Sequence, residues 1–189
     1  LRKAFSGKII TNTDGIEYKR EKWGIVASSF LKLSELMAVK YSDALVADNK
    51  GIHEYIQKKY NTTAIAIIEY GGIEIEVDEN LYRSNYNYEK FSFDLAIARI
   101  VPENNILEIL EVYSNVNDTL LFIGNWDSSD YGKSIKSKSW PDNIKLLPAD
   151  YDPRRLSSLR YSSRNYIHGH SAGGTNPSLV EAISLECNI

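Results

Sequence analysis

YIHGHSAGGTNPSLVEAIS, residues 166–184, contains two overlapping motifs that lead to different chemistries. Gly169-His170-Ser171-Ala172-Gly173 fits the GxSxG pattern of a hydrolase nucleophile elbow, in which a helix begins almost immediately after the serine. Gly173-Gly174-Thr175-Asn176-Pro177 fits a glycine loop that opens a helix. Asn176 is a capping residue and Pro177 suits the first helical position, so the helix starts several residues after Ser171, too late for an elbow. The hydrolase order also needs a histidine downstream of the serine, whereas His53, His168 and His170 all precede Ser171. No HGGG-like oxyanion segment lies upstream. The second pattern has a coherent physical basis. Gly173 and Gly174 allow a diphosphate to approach backbone N–H groups, and the helix start adds donors and a positive dipole end. Glu181, about one turn in, either accepts sugar hydroxyls or is a solvated helix carboxylate. Leu179, Val180, Ala182 and Ile183 form the packing face.

Upstream of this stretch, strands and helices alternate. Residues 8–11 read as a strand, 23–41 as a helix of about five turns with apolar residues at helical spacing, 44–47 as an apolar strand, 51–60 as a helix and 63–68 as a buried strand. A polar, Tyr- and Asn-rich stretch follows without a clear period. The alternation then resumes: strand 93–100, helix 105–113, strand 119–123, a long loop 124–143, strand 144–147, helix 153–161, strand 165–168 and helix 177–184. This is α/β patterning with parallel sheets covered by helices. It predicts two Rossmann-like units, with ligands at the carboxyl ends of the strands. The predicted domains are residues 1–75, a linker at 76–90, and residues 91–189. Both ends look cut: the chain starts at Leu1, and a new strand is expected to begin at Cys187.

With 189 residues and 43% hydrophobic content, the chain can build a core. A net charge of −3 argues against nucleic acid as a partner, since such partners call for a basic surface. Local cations must do any phosphate work. The single cysteine, Cys187, excludes an intramolecular disulfide and a CxxC zinc site; it reads as a small buried residue in a reducing, cytoplasmic setting. No apolar run reaches the length of about 20 residues that spans a bilayer, so any membrane association is expected to be peripheral.

Several segments, in order, resemble the GT-B retaining glycosyltransferases of family 4, and most of all their rhamnosyltransferase-like, capsular polysaccharide branch. They are DGIEYKREKWG (14–24), ALVADN (44–49), ARIVPENN (98–105) and HGHSAGGTNPSLVEAIS (168–184). The resemblance covers almost the whole chain. It implies a partial N-terminal Rossmann-like unit joined to most of the C-terminal, nucleotide-sugar-binding one. It further implies transfer of a sugar, with rhamnose as the candidate, from a nucleotide-diphosphate sugar to a saccharide or lipid-linked saccharide acceptor, with retention and without a metal or other cofactor. The expected location is cytoplasmic, at the inner face of the membrane.

In that family two glutamates eight positions apart frame the donor. Glu181 matches the second, at the ribose, while the first falls on Gly173, so this chain departs from the general pattern. Backbone N–H groups of Gly174, Thr175 and Asn176, with His170 or Ser171, then become the candidates for contact with the donor sugar. Arg99 matches the family's diphosphate arginine, and Asn104 occupies the position of its lysine. One fixed cation therefore meets the diphosphate, and Asn104 adds neutral hydrogen bonds. Lys133 or Lys136 in the long loop is a candidate for the missing charge. The pair His168 and His170 superficially suits a metal, but a hydrogen-bonding role toward donor is the favoured reading. Residues 147–152 resemble the segment whose backbone reads the nucleobase. Asp14, Glu17, Lys19 and Arg20 form either a charged capping region or part of an acceptor site. As a fragment, the chain is expected to bind donor weakly and to turn over little. The rival readings are a non-catalytic nucleotide-binding or partner module and the Ser171 hydrolase.

Overall fold

A computed structural model of the chain describes residues 7–19, 23–72, 77–78, 88–171 and 174–189. Two compact units emerge: Leu1–Gly71 with Ala172–Asn176, and Gly72–Ser171 with Pro177–Ile189. Most of the expected linker, along with Arg20 and Gly173, lies outside the described residues.

In the first unit three short parallel strands, β1 (Ile10–Asn12), β2 (Ala44–Ala47) and β3 (Ile65–Ile67), pair in sequence order. Helix α1 (Ile25–Tyr41) joins β1 to β2, and α2 (Lys50–Tyr60) joins β2 to β3. Helix α2 starts where the Asn49 side chain accepts the Ile52 N–H at 2.9 Å, and it stops at Asn61, whose φ of 49° is left-handed. Leu45 and Ala47 from β2 and Ile52 and Ile56 from α2 form the small core, with Val39 and Ile65 against it. Helix α1 forms as expected, with Ile25, Val26 and Phe30 88, 85 and 68% exposed and none of its residues buried. Apolar side chains occupy nearly every side of α1, so periodicity does not single out its packed face.

Tyr18, Tyr55 and Tyr60 of the first unit gather around a carboxylate. Glu35 Oε1 accepts from Tyr55 Oη (3.0 Å), Lys59 Nζ (2.8 Å) and Tyr60 Oη (2.5 Å), and Tyr18 shares a 2.6 Å hydrogen bond with Tyr55. Burial raises the Tyr55 pKa; for Lys59, bonds to Glu35 and the tyrosines outweigh burial and also raise it.

The second unit is built on a four-stranded parallel sheet of order β6-β5-β4-β7, where β4 is Phe93–Ala98, β5 Thr119–Gly124, β6 Ile144–Pro148 and β7 Tyr166–Ile167. Its central strands are buried on both faces, as a period of two requires. Ala96, Leu120 and Phe122 pack with α3 (Ile106–Tyr113) and α4 (Asp130–Lys136) through Ile106, Leu110 and Ile135. Phe93, Leu95, Leu121 and Ile123 face Leu159 of α5 (Pro153–Ser162) and Ala182 of α6 (Pro177–Ser184). Asp152 caps α5 by accepting Arg154 and Arg155 N–H, with Pro153 at the first helical position.

The expected loop at 124–143 holds two short helical segments: a 3-10 turn at Trp126–Ser128 and α4, which is capped by Ser129 accepting Gly132 N–H at 3.1 Å. Only Tyr131 and Ile135 give this seven-residue helix an apolar spacing, too little for a pattern to register. The strand expected from Cys187 is absent, and Tyr166 N–H instead donates to the Asn188 carbonyl at 2.7 Å.

Candidate functional site

Two loops of the second unit are zipped together at the carboxyl ends of β4 and β7. Beyond β4 the exposed Arg99 is followed by buried Ile100, whose N–H donates to Asn125 Oδ1 at 2.9 Å. In the 3-10 turn Pro102–Asn104, Asn104 is 6% exposed; its amide donates to the Arg99 carbonyl at 2.7 Å, and its Oδ1 lies 2.9 Å from His170 Nδ1. Because the Asn104 Nδ2 is committed to a carbonyl, its Oδ1 is an acceptor, so His170 Nδ1 carries the hydrogen. Neutral His170 therefore has its lone pair on Nε2. Ser171 donates both N–H and Oγ–H to the Glu103 carbonyl, at 2.9 and 2.8 Å, and the Asn105 amide donates to the Gly169 carbonyl at 2.8 Å. A side chain at Gly169 would collide with the Asn104 carbonyl, so close approach of the loops requires glycine there. The His168 and His170 rings stand 6.0 Å apart; burial, then the neighbouring imidazole, pushes the His168 pKa down.

The carboxyl ends of β5 and β6 border a cavity of about 380 Å³, lined by Gly124, Asn125, Trp126, Asp127, Lys136 and Pro148 among others. Trp126 is 2% exposed and its indole N–H donates to the Leu147 carbonyl at 2.8 Å, which ties the two strand ends together. At Gly124 a side chain would overlap Ile100. Lys136 pairs with Asp127 at 2.7 Å on the lining. Lys133 lies 4.0 Å from Asp130 and is not part of the lining.

On the other face of the same sheet, Glu181 of α6 is held from below. Buried Arg160 of α5, 2% exposed, places Nη2 2.6 Å from Glu181 Oε2 and 2.8 Å from Ser178 Oγ. Ser178 Oγ in turn lies 2.7 Å from Tyr166 Oη, and the guanidinium sits 5.9 Å from the Tyr166 ring centre.

Gly174, Thr175 and Asn176 belong to the first unit. There Thr175 N–H donates to Asp48 Oδ2 at 2.6 Å, and Asp48 is 2% exposed. A side chain at Gly174 would stand 2.5 Å from Asp48 Oδ2 and 2.8 Å from Asp14 Oδ1. The N–H expected to face a diphosphate thus already binds an anionic oxygen.

Comparison with solved structures gives the architecture. The crystal structure of a mutant of S. aureus TarM in complex with fondaparinux, alpha-GlcNAc-glycerol and UDP is 14% identical at a TM-score of 0.67, over 95% of this chain and 36% of that one. Anabaena HepE in complex with UDP and glucose is 13% identical at a TM-score of 0.70, over 94% of this chain and 51% of that one. A UDP-forming alpha,alpha-trehalose-phosphate synthase from Burkholderia xenovorans is 10% identical at 0.66, over 97% and 52%. The fold is of the GT-B type. This chain therefore spans about a third to a half of the length of these GT-B structures. Residues 2–73 also match the model of a family described as a domain of unknown function, DUF1972. No curated protein matches the chain.

Within the GT-B second unit, the Arg99 carbonyl, Asn104 and His170 are joined in one chain of hydrogen bonds, and Glu181 lies one hydrogen bond from Arg160. Sequence reasoning did not find Arg160, Tyr166 or Trp126. Only the Trp126 position carries a usable signal, a large aromatic directly after a strand end. Among the described residues, no three His, Cys, Asp or Glu side chains come together to hold a metal ion, and no helix is long and apolar enough to cross a membrane.

Proposed function

We propose that the chain supplies the donor-binding part of a glycosyltransferase. The reaction moves a sugar, with rhamnose as the candidate, from a nucleotide-diphosphate donor to a saccharide or lipid-linked saccharide acceptor of a capsule or surface polysaccharide, with retention of configuration. One observation carries this reading: the hydrogen-bond chain from the Arg99 carbonyl through Asn104 to His170 and the 380 Å³ cavity lie along the carboxyl edge of a single parallel sheet, the edge where such folds bind ligands. In this reading the base enters the cavity beside Trp126, Arg99 meets the diphosphate, Glu181 accepts ribose hydroxyls and His170 faces the donor sugar.

The chemistry then depends on the leaving group. As the bond between the anomeric carbon and the diphosphate oxygen breaks, negative charge grows on the phosphate, and the Arg99 guanidinium favours that state over the ground state. A charge-assisted hydrogen bond of this kind contributes about 1.5–3 kcal/mol. Arg99 does this without a metal, and Asn104, fixed at both ends of its amide, holds the Arg99 backbone and His170 in register. A lipid-linked acceptor places the reaction at the inner face of the membrane, with peripheral attachment.

The test is turnover by full-length protein with UDP-, GDP- and dTDP-sugars and a lipid-linked acceptor, with product configuration read by NMR. Release of nucleoside diphosphate with a retained anomeric centre is expected, and Arg99→Ala is expected to slow it by about 100-fold. Donor binding without release toward any acceptor contradicts transfer and leaves a binding module.

A further inference from the structure

Arg160 is a buried cation whose presence needs an explanation. It is 2% exposed, its Nε has no hydrogen-bond partner, and its Nη2 is shared between Glu181 Oε2 and Ser178 Oγ at 2.6 and 2.8 Å. A buried ion pair is rarely more stable than an apolar pair of the same volume, and an unpaired guanidinium N–H adds a desolvation cost. Stability alone therefore does not account for Arg160. What the arrangement does achieve is direction. Glu181 sits on the surface of α6 with its side chain 30% exposed, where an unrestrained glutamate samples several rotamers. Arg160 holds one carboxylate oxygen from inside the protein and leaves the second to a ligand. The guanidinium is itself held: Ser178 Oγ bonds both Arg160 and the Tyr166 hydroxyl, and the Tyr166 ring, fully buried in β7, lies 5.9 Å from the cation.

We propose that Arg160 is a positioning residue for Glu181, braced by Ser178 and Tyr166, and that it fixes the carboxylate to accept a ribose hydroxyl of the bound nucleotide. This inference rests on the donor-site reading above. It adds Arg160, with Ser178 and Tyr166 behind it, to the determinants of nucleoside recognition.

The experiment is calorimetry on the chain with whichever of UDP, GDP and dTDP binds, and with its 3′-deoxy counterpart. Loss of the hydroxyl is expected to weaken wild-type binding by about tenfold or more, the value of a hydrogen bond to a charged group. Glu181→Gln and Arg160→Met are each expected to shrink that ratio to about threefold or less, and the double variant to shrink it no further. Ser178→Ala, which leaves the core volume intact, is expected to reduce the ratio partially and so reports even if Arg160→Met does not fold. A merely structural role would lower stability without changing the ratio. If Glu181→Gln collapses the ratio while folded Arg160→Met and Ser178→Ala keep the wild-type value, the positioning role is wrong and the donor site stands. If the wild type binds none of the three nucleotides, the donor-site reading fails and the inference fails with it.

Discussion

Asp94 and Arg160 are both buried charges in the second unit, and both are met by an opposite charge within 2.7 Å. Asp94 takes two bonds from Arg164 and one each from Tyr113 and Asn165. Burial works to raise its pKa, but those hydrogen bonds, from Arg164 first, outweigh it and hold the carboxyl below the ordinary 3.8. A folded-state pKa below the unfolded one contributes stability that is complete above about pH 3.8 and is lost as pH falls through the lowered folded value. Asp94→Ala is accordingly expected to cost about 2–3 kcal/mol at pH 7 in denaturant unfolding, and less at a pH below the lowered folded value. An equal loss at both pH values would show that the charge is not what matters. At this scale the sequence was partly legible. Arg99, Asn104 and His170 follow strand ends, and the resemblance to the family marks them as candidates. Arg160 sits in a Ser- and Arg-rich helix whose sequence reads as a solvated face, and only the packing of α5 against α6 buries it.

Helices show where pattern reading succeeds and where it stops. Helix α6 is found at the residues expected, Pro177–Ser184, where the Asn-Pro punctuation starts it, but of the expected packing face only Ala182 is buried and Ile183 is 57% exposed. Helix α4 went unread because its seven residues offer one i, i+4 apolar pair around Gly132. Helix α1 was read as a helix, but the exposure of its apolar residues was not legible, since they surround it on nearly every side. Phe30, 68% exposed, makes this testable. Phe30→Gln is expected to change unfolding free energy by no more than about 0.5 kcal/mol, as for other surface substitutions. A loss of about 3 kcal/mol, typical of emptying a core site, would place Phe30 inside after all.

Across the whole molecule the strand–helix alternation was enough to give two parallel α/β units, because doubly covered parallel strands read as continuous apolar runs such as Leu120–Ile123. The glycine loop was legible as a motif, but the Asp48 contact to Thr175 N–H was not, since it joins residues 127 positions apart. A chain of net charge −3 has no broad electrostatic attraction for phosphates, so the proposed donor site relies on placed groups: Arg99, the cavity beside Trp126, and Glu181 on Arg160. The central claim is that this sheet edge binds a nucleoside diphosphate. Titration calorimetry of the 189-residue chain with UDP, GDP and dTDP tests it most directly. The account predicts that at least one of the three binds and that folded Arg99→Ala weakens it by about 10- to 100-fold. Absence of binding by all three, or equal binding by wild type and Arg99→Ala, would contradict it.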